Sequence, residues 1–299
     1  AAVANPTIQP DEVLVAVSAC GVNFPDTLII QNKYQVKPAL PFVPGGEVAG
    51  RIVSVGSQVK YVKVGDAVIG LCGWGGFAEY VAINSSRVYV LPAQTKLIQA
   101  AATFYNYATA FHALKDRAQI KHGEKLLVLG AAGGVGLAAL ELGKLMGAIV
   151  IAGASTNEKL ELCKLKGADY LVNYATHDLK ASVKEITVGQ GVDVVFDPVG
   201  GTLAESALRS IAWSGRYLVV GFASGNIPAF AANVPLLKGA SIVGVFFSGF
   251  AAHEPNRNAV NMQQLIQWHA EGKINQQIYK IYSLADAAKW DMDMVSLIG

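Results

Sequence analysis

The stretch VLGAAGGVGLAALEL (residues 128–142) puts four glycines into the seven positions from Gly130 to Gly136, between an apolar run and a helix-like segment. KLLVL (125–129) has the pattern of a buried strand, residues 130–136 form a turn, and LAALELGKLMG (137–147) reads as a helix. Such a unit makes an anion site. The first N–H groups of a helix lack carbonyl partners, and the helix dipole favours negative charge there. Glycines let the backbone approach a pyrophosphate and let the helix pack on the strand. The fingerprint is A-x-G-x-x-G (Ala131, Gly133, Gly136), with Ala where Gly usually leads. Tight helix–strand packing alone would use the same glycines, so the surrounding pattern has to decide.

That pattern is an alternation of strands and helices. KLLVLG is followed by VGLAALELGKLMG, IVIAG by TNEKLELCKLKG, YLVNY by a helix near 178–187, and VDVVFD by a helix near 202–212. GRYLVVGF and SIVGVFF complete the run. Alternation of this kind gives a parallel sheet with helices on both faces. The N-terminal third differs. EVLVAVSACGV (12–22), GEVAGRIVSVG (46–56), GDAVIGL (65–71), FAEYVAI (77–83) and RVYVLP (87–92) are short β-rich runs punctuated by Gly and Pro, as in a small barrel or sandwich. LIQAAATFYNYATAFHAL (97–114) reads as one helix, and MQQLIQWHAEGKI (262–274) as an amphipathic helix after the alternation ends. The expectation is an α/β chain of two domains, 1–106 with 247–299, and 107–246.

Composition supports this and excludes several functions. The chain has 299 residues, 52% of them hydrophobic and only 15% charged, against a usual charged share of about 25%. This suits a compact protein with much buried sheet. A net charge of +2 is no footprint for nucleic acid, and the lysines from Lys159 to Lys166 read as a solvated helix face. Cys20, Cys72 and Cys163 form no C-x-x-C pair, so no disulfide framework or zinc ribbon is available and a reducing, cytoplasmic setting is expected. No 18-residue apolar window predicts a membrane helix, and AAVANPTIQP lacks the build of a secretory signal.

The kind of dinucleotide can be read one strand further on. An NAD site places an acid after the second strand to hold the ribose 2′-hydroxyl. Here IVIAG (149–153) is followed by Ala154, Ser155, Thr156 and Asn157, none acidic. Glu158, three residues after Ser155, reads as the partner in an S-x-x-E capping box. Lys159 follows. Hydroxyls and a lysine suit a 2′-phosphate, so NADPH is expected; ordinary helix surface is the competing reading of Lys159.

GVNFPDTLIIQNKYQ (21–35), PFVPGGEVAG (41–50), GDAVIGL and GGFAEYV, taken in order with AAGGVG, resemble the zinc-independent quinone oxidoreductases of the medium-chain dehydrogenase/reductase superfamily, the group that includes zeta-crystallin. The resemblance covers nearly the whole chain. It implies a GroES-like β-rich catalytic domain and a Rossmann nucleotide-binding domain with a doubly wound parallel sheet. Family members start about one strand pair earlier and end in a short G-K-containing strand beyond SLIG (296–299), so the natural protein is expected to be longer than this sequence. Zinc alcohol dehydrogenases carry G-x-C and G-H-E in these stretches. This chain has Gly21-Val22-Asn23 and Gly45-Gly46-Glu47, and its histidines (112, 122, 177, 253 and 269) are scattered, so no metal is expected.

The resemblance implies that Asn23 faces the nicotinamide and substrate, with Asp26, Tyr34 and Thr109 nearby. N-F-P-D is equally a turn and cap sequence, and a helical Thr can bond its own backbone. It places Ala132, Gly133, Gly134 and Val135 at the pyrophosphate, and Ser155, Lys159 and Tyr174 at the 2′-phosphate. Gly221, Phe222, Ala223, Phe246, Phe247 and Ser248 follow at later strand ends, where the phenylalanines could equally be core. The implied activity is NADPH-dependent reduction of quinones or related enones, since without a Lewis acid an already electrophilic acceptor is the natural substrate. A 2-enoyl thioester reductase is the rival, with Lys33 and Lys37 as candidates for a basic rim. An NADPH-binding structural or RNA-binding protein is a third reading, which the near-neutral charge disfavours. A homodimer joined through ASIVGVFF (240–247) is also expected.

Overall fold

The computed structural model describes residues 4–289. Residues 1–3 and 290–299, including the SLIG segment, lie outside the described residues. The chain forms two compact units, residues 4–105 with 255–289, and residues 106–254. The sequence reading puts the divisions at 106/107 and 246/247.

The first unit is built on β1 (Glu12–Gly21), followed by the short helix α1 (Phe24–Ile30) and by β2 (Glu47–Val55), β3 (Ala67–Gly70), β4 (Tyr80–Asn84) and β5 (Val88–Val90). They form one five-stranded sheet in the order β4-β1-β2-β3-β5, with antiparallel pairing throughout. Its core takes one residue in two from the strands: Val13, Val15, Val48, Ile52, Val68, Val81 and Ile83 are buried together. The register sets Glu47, the first residue of β2, opposite Gly21, the last of β1.

Residues 97–114 do not form a single helix. Helix α2 (Leu97–Ala101) ends, and α3 (Phe104–Phe111) starts afresh before passing into a π-helical turn at His112–Arg117. The break has two causes. The Thr103 hydroxyl bonds back to the Gln99 carbonyl at 2.7 Å. The Tyr105 amide, instead of continuing the first helix, donates to the Glu47 carboxylate at 2.7 Å.

The second unit alternates β6 (Lys125–Val128), α4 (Gly134–Leu145), β7 (Ile149–Ala154), α5 (Asn157–Leu165), β8 (Tyr170–Asn173), α6 (Leu179–Ile186), β9 (Val192–Asp197), α7 (Leu203–Arg209), β10 (Ile211–Val219), α8 (Asn233–Lys238), β11 (Ser241–Gly244) and α9 (Phe247–His253). All strands are parallel, in the order β8-β7-β6-β9-β10-β11. Two strand series start side by side at β6 and β9 and run outward, the doubly wound arrangement whose ligand site lies at the carboxyl ends. Helix α7 stops at Arg209, short of the expected residue 212, because Ile211 already pairs with Val192. Helix α10 (Pro255–Ala270) returns the chain to the first unit, starting seven residues before the predicted amphipathic segment. No described helix is long and apolar enough to cross a membrane.

Candidate functional site

Beyond the carboxyl end of β6 the chain turns at Gly130, whose φ of +57° lies in the left-handed region. Gly133 caps α4 and donates its N–H to the Gly130 carbonyl at 2.9 Å. Gly136 sits where a Cβ would lie 2.3 Å from the Gly130 oxygen and 2.9 Å from the Ala131 Cα, both backbone atoms. No larger residue fits there without moving the turn. Gly133 and Gly134 are exposed and Ala132 and Val135 half-buried, so the first amides of α4 lie at the surface of this unit.

At the end of β7 the structure gathers Ser155, Lys159 and Tyr174. The Lys159 Nζ reaches the Ser155 Oγ at 3.4 Å, and the Ser155 side chain hydrogen-bonds the Tyr174 hydroxyl. Burial, with the Asp197 charge as a second cause, raises the Tyr174 pKa, so this hydroxyl stays protonated. The expected S-x-x-E capping box is one residue out of register. Thr156 caps α5, its Oγ1 accepting the Lys159 N–H at 3.3 Å, which leaves the Ser155 side chain out of the cap. Two hydroxyls and an ammonium with no acid from residue 154 to 157 fit the doubly charged 2′-phosphate of NADPH and leave the 2′-hydroxyl of NADH without an acceptor carboxylate.

Asp197, at the end of β9, is a buried acid that sequence reasoning missed. Its Oδ1 accepts the Val199 and Gly200 amides at 2.8 and 2.9 Å, and its Oδ2 the Tyr217 hydroxyl at 2.5 Å. It shapes the Pro198–Gly201 turn, and Val199 in that turn stands 2.8 Å from where a Cβ on Gly130 would be. An acid closing an apolar strand before P-V-G-G was the available signal. Gly221, Phe222 and Ala223 are half-buried after β10, held by Gly221 and Ala223 amides to Asp197 and Pro198 carbonyls. Exposure separates the last aromatic pair. Phe246 is 51% exposed, whereas Phe247 is 6% exposed and packs in the core, with Ser248 half-buried beside it.

In the first unit, Asn23 caps α1. Its backbone N–H donates to Asp26 Oδ2 at 2.8 Å, and its Nδ2 donates to Glu47 Oε2 at 3.1 Å. The other Glu47 oxygen takes the Tyr105 amide. Asn23, Asp26 and Glu47 are 7%, 3% and 0% exposed. Burial pushes Glu47 up to about 8, against the opposing pull of its amide partners and of Asn23. Burial likewise pushes Asp26 up to about 6, opposed by the Asn23, Gly45 and Gly46 amides. Burial raises the thiols of Cys20 and Cys72 as well, Cys72 to about 12, so both stay protonated and unreactive. Gly46 is closed over by Gly73, whose amide bonds the Gly46 carbonyl at 3.1 Å. Glu47 was the residue sequence reasoning passed over, an acid opening the apolar run EVAG.

Tyr34 lies on the loop after α1, half-buried, and shares no hydrogen bond with this cluster among the described residues. Thr109 lies on α3 in the second unit. The described residues contain no group of three or more His, Cys, Asp or Glu side chains placed to hold a metal ion.

Comparison with known proteins agrees with the two-part fold. Residues 9–93 match the alcohol dehydrogenase GroES-like domain, and residues 134–266 the family described as zinc-binding dehydrogenase. The chain is 40% identical over 265 residues to the quinone oxidoreductase-like protein 2 homolog of Nematostella vectensis, spanning 88% of this chain and 72% of that protein. Escherichia coli quinone oxidoreductase, solved in complex with NADPH, superposes with a TM-score of 0.90 at 30% identity, covering 99% of this chain and 91% of that one. The CurK enoyl reductase superposes with a TM-score of 0.86 at 26% identity, covering 98% and 91%. The chain belongs to the quinone oxidoreductase family of the medium-chain dehydrogenase/reductase superfamily.

Proposed function

We propose that this protein is an NADPH-dependent reductase of quinones and related α,β-unsaturated carbonyls that works without zinc. The observation that carries the reading is the Ser155–Lys159–Tyr174 group with no acid at the end of β7. NADPH, when bound, supplies the hydride. The chain's residues do the rest. The turn at Ala132, Gly133, Gly134 and Val135 takes the pyrophosphate, and Ser155, Lys159 and Tyr174 take the 2′-phosphate. Residues 221–223 and 246–248, with Phe246 the exposed ring, line the rest of the nucleotide site. Asn23 offers a fixed amide to the acceptor, and Asp26 holds Asn23 by its backbone. Tyr34 and Thr109 are the further residues that the family resemblance assigns to the acceptor and the nicotinamide, and Tyr34 or solvent supplies the proton. Zinc independence is supported by Asn23 and Gly46, which stand where zinc relatives carry Cys and His.

The edge strand β11 and the exposed Trp213, Leu236, Leu237 and Ile242 near it support a homodimer paired through this edge. Light scattering at 31.5 kDa would contradict that. Three free cysteines support a reducing, cytoplasmic setting.

The test follows NADPH oxidation by absorbance with an ortho-quinone and a short enoyl-CoA in parallel, each repeated with NADH. Turnover of the quinone with NADPH alone is expected. Turnover of the enoyl-CoA in its place would move the protein to the thioester reductases, a reading the CurK likeness keeps in view. Binding of NADPH with neither turnover would sink both.

A further inference from the structure

Glu47 is buried at a place the fold keeps open for it. A Cβ on Gly21, its partner across the β1–β2 register, would lie 2.9 Å from Glu47 Oε2 and 2.1 Å from the Ala101 carbonyl oxygen. The carboxyl is 0% exposed, and no cation is placed against it or against Asp26 among the described residues. Taking an acid out of water this way costs several kcal/mol unless it is well bonded. A strand core would be served better by Val or Gln. What the acid does have is a split set of partners. Oε1 takes the Tyr105 amide at 2.7 Å, with the Phe104 amide also bonded to the carboxyl, and Oε2 takes the Asn23 Nδ2 at 3.1 Å. One oxygen is fixed by the start of a helix, so the other becomes a rigid acceptor for the Asn23 side chain.

We propose that Glu47 is a positioning residue: it holds the carboxamide of Asn23 in one orientation and acts on the reaction only through that side chain. The inference rests on the reading of Asn23 as the group that meets the acceptor. The ionised carboxylate is the form that accepts on both oxygens, since a protonated one would turn its O–H toward the Asn23 NH2, and Gln at position 47 cannot stand in for it. With its oxygen on the Tyr105 amide, its NH2 would face the Asn23 NH2, and Asn23 would have to turn over, exchanging donor for acceptor. The ionisable groups around the pair are Asp26 on α1, Cys20 on β1 and Cys72 after β3. Both thiols stay protonated and Asp26 ionises first, so the loss of the Glu47 proton is the later step, and it completes the hold on the Asn23 NH2.

The experiment is a double-mutant cycle of Asn23→Ala and Glu47→Gln, with kcat and KM measured from pH 6 to 10 on whichever acceptor the wild type reduces. Glu47→Gln is expected to lower kcat about tenfold above pH 8, to leave the dissociation constant of NADPH unchanged, and to abolish a rise in kcat that the wild type shows near the value of about 8. In the Asn23→Ala background it should have no further effect on kcat. Equal effects in both backgrounds, or an alkaline rise that survives Glu47→Gln, would overturn the proposal. Should Glu47→Gln fail to fold, the infrared carbonyl band of the protonated Glu47 carboxyl gives an independent reading. Its midpoint should rise in Asn23→Ala, because the Asn23 hydrogen bond lowers it; an unmoved midpoint counts against the coupling. A wild type inactive on quinones but active on the enoyl thioester would correct the substrate and leave the cycle readable.

Discussion

Around Asn23 the chain buries two carboxyls with no cation placed against them among the described residues, whereas at the end of β7 it gathers a lysine and two hydroxyls, with no acid from residue 154 to 157. The first cluster is complete within the protein. Its hydrogen-bond capacity is spent on amides, and it acts by being rigid. The second gathers an ammonium and two hydroxyls near the surface of its unit, the group proposed above for the 2′-phosphate. The comparison shows two ways of making a polar site. One stores order in buried bonds formed on folding, and the other gathers positive potential that an anion can meet.

The comparison breaks most sharply at Gly136. Replacement by Val would put side-chain atoms against the Gly130 oxygen and should weaken NADPH by roughly 100-fold or more, read by fluorescence titration. Asn23→Ala comes next. It should lower kcat by about 100-fold while leaving NADPH affinity intact. Cofactor weakening of similar size would show that the two clusters are not functionally separate. Lys159→Ala should raise the NADPH dissociation constant about tenfold and leave that of NADH unchanged, since only the 2′-phosphate meets the ammonium.

The smallest effect concerns stability. Folded Glu47 keeps its proton up to about 8, against an ordinary value of 4.5, so between those values the folded chain holds a proton the unfolded chain has released. Stability therefore declines as pH rises through that window, and the loss is complete above it. Glu47→Gln should flatten the fall in melting temperature between pH 5 and 8 by ~5 °C, measured by thermal melts. An unchanged slope would mean that another group carries it.

The donor site was legible because its parts are local. Gly130 to Gly136 occupy one turn, and Ser155 and Lys159 lie within one helical start, so strand–turn–helix order places them. The misplaced cap shows the limit: Ser155 and Thr156 are both good caps, and only the folded helix, with the Thr156 hydroxyl accepting the Lys159 amide, decides between them. The buried cluster was half legible. N-F-P-D announces a capped helix, but Glu47 joins Asn23 across 24 residues and Tyr105 across 58, through β register and a helix break that no local pattern carries. The single helix expected over 97–114 failed for that same reason: a distant carboxylate took its amides.

The closeness of Gly73 to Gly46 bears on what residue 46 can become. A Cβ on Gly46 would stand 3.1 Å from the Gly73 oxygen and 3.4 Å from its carbonyl carbon, both backbone atoms. Asn23→Cys can be imagined as one step back toward a zinc relative. Histidine at 46 asks more, because its first side-chain atom would press on the Gly73 carbonyl and the loop would have to give by a few tenths of an ångström. What residue 46 can become is thus tied to how far the backbone at Gly73 can move.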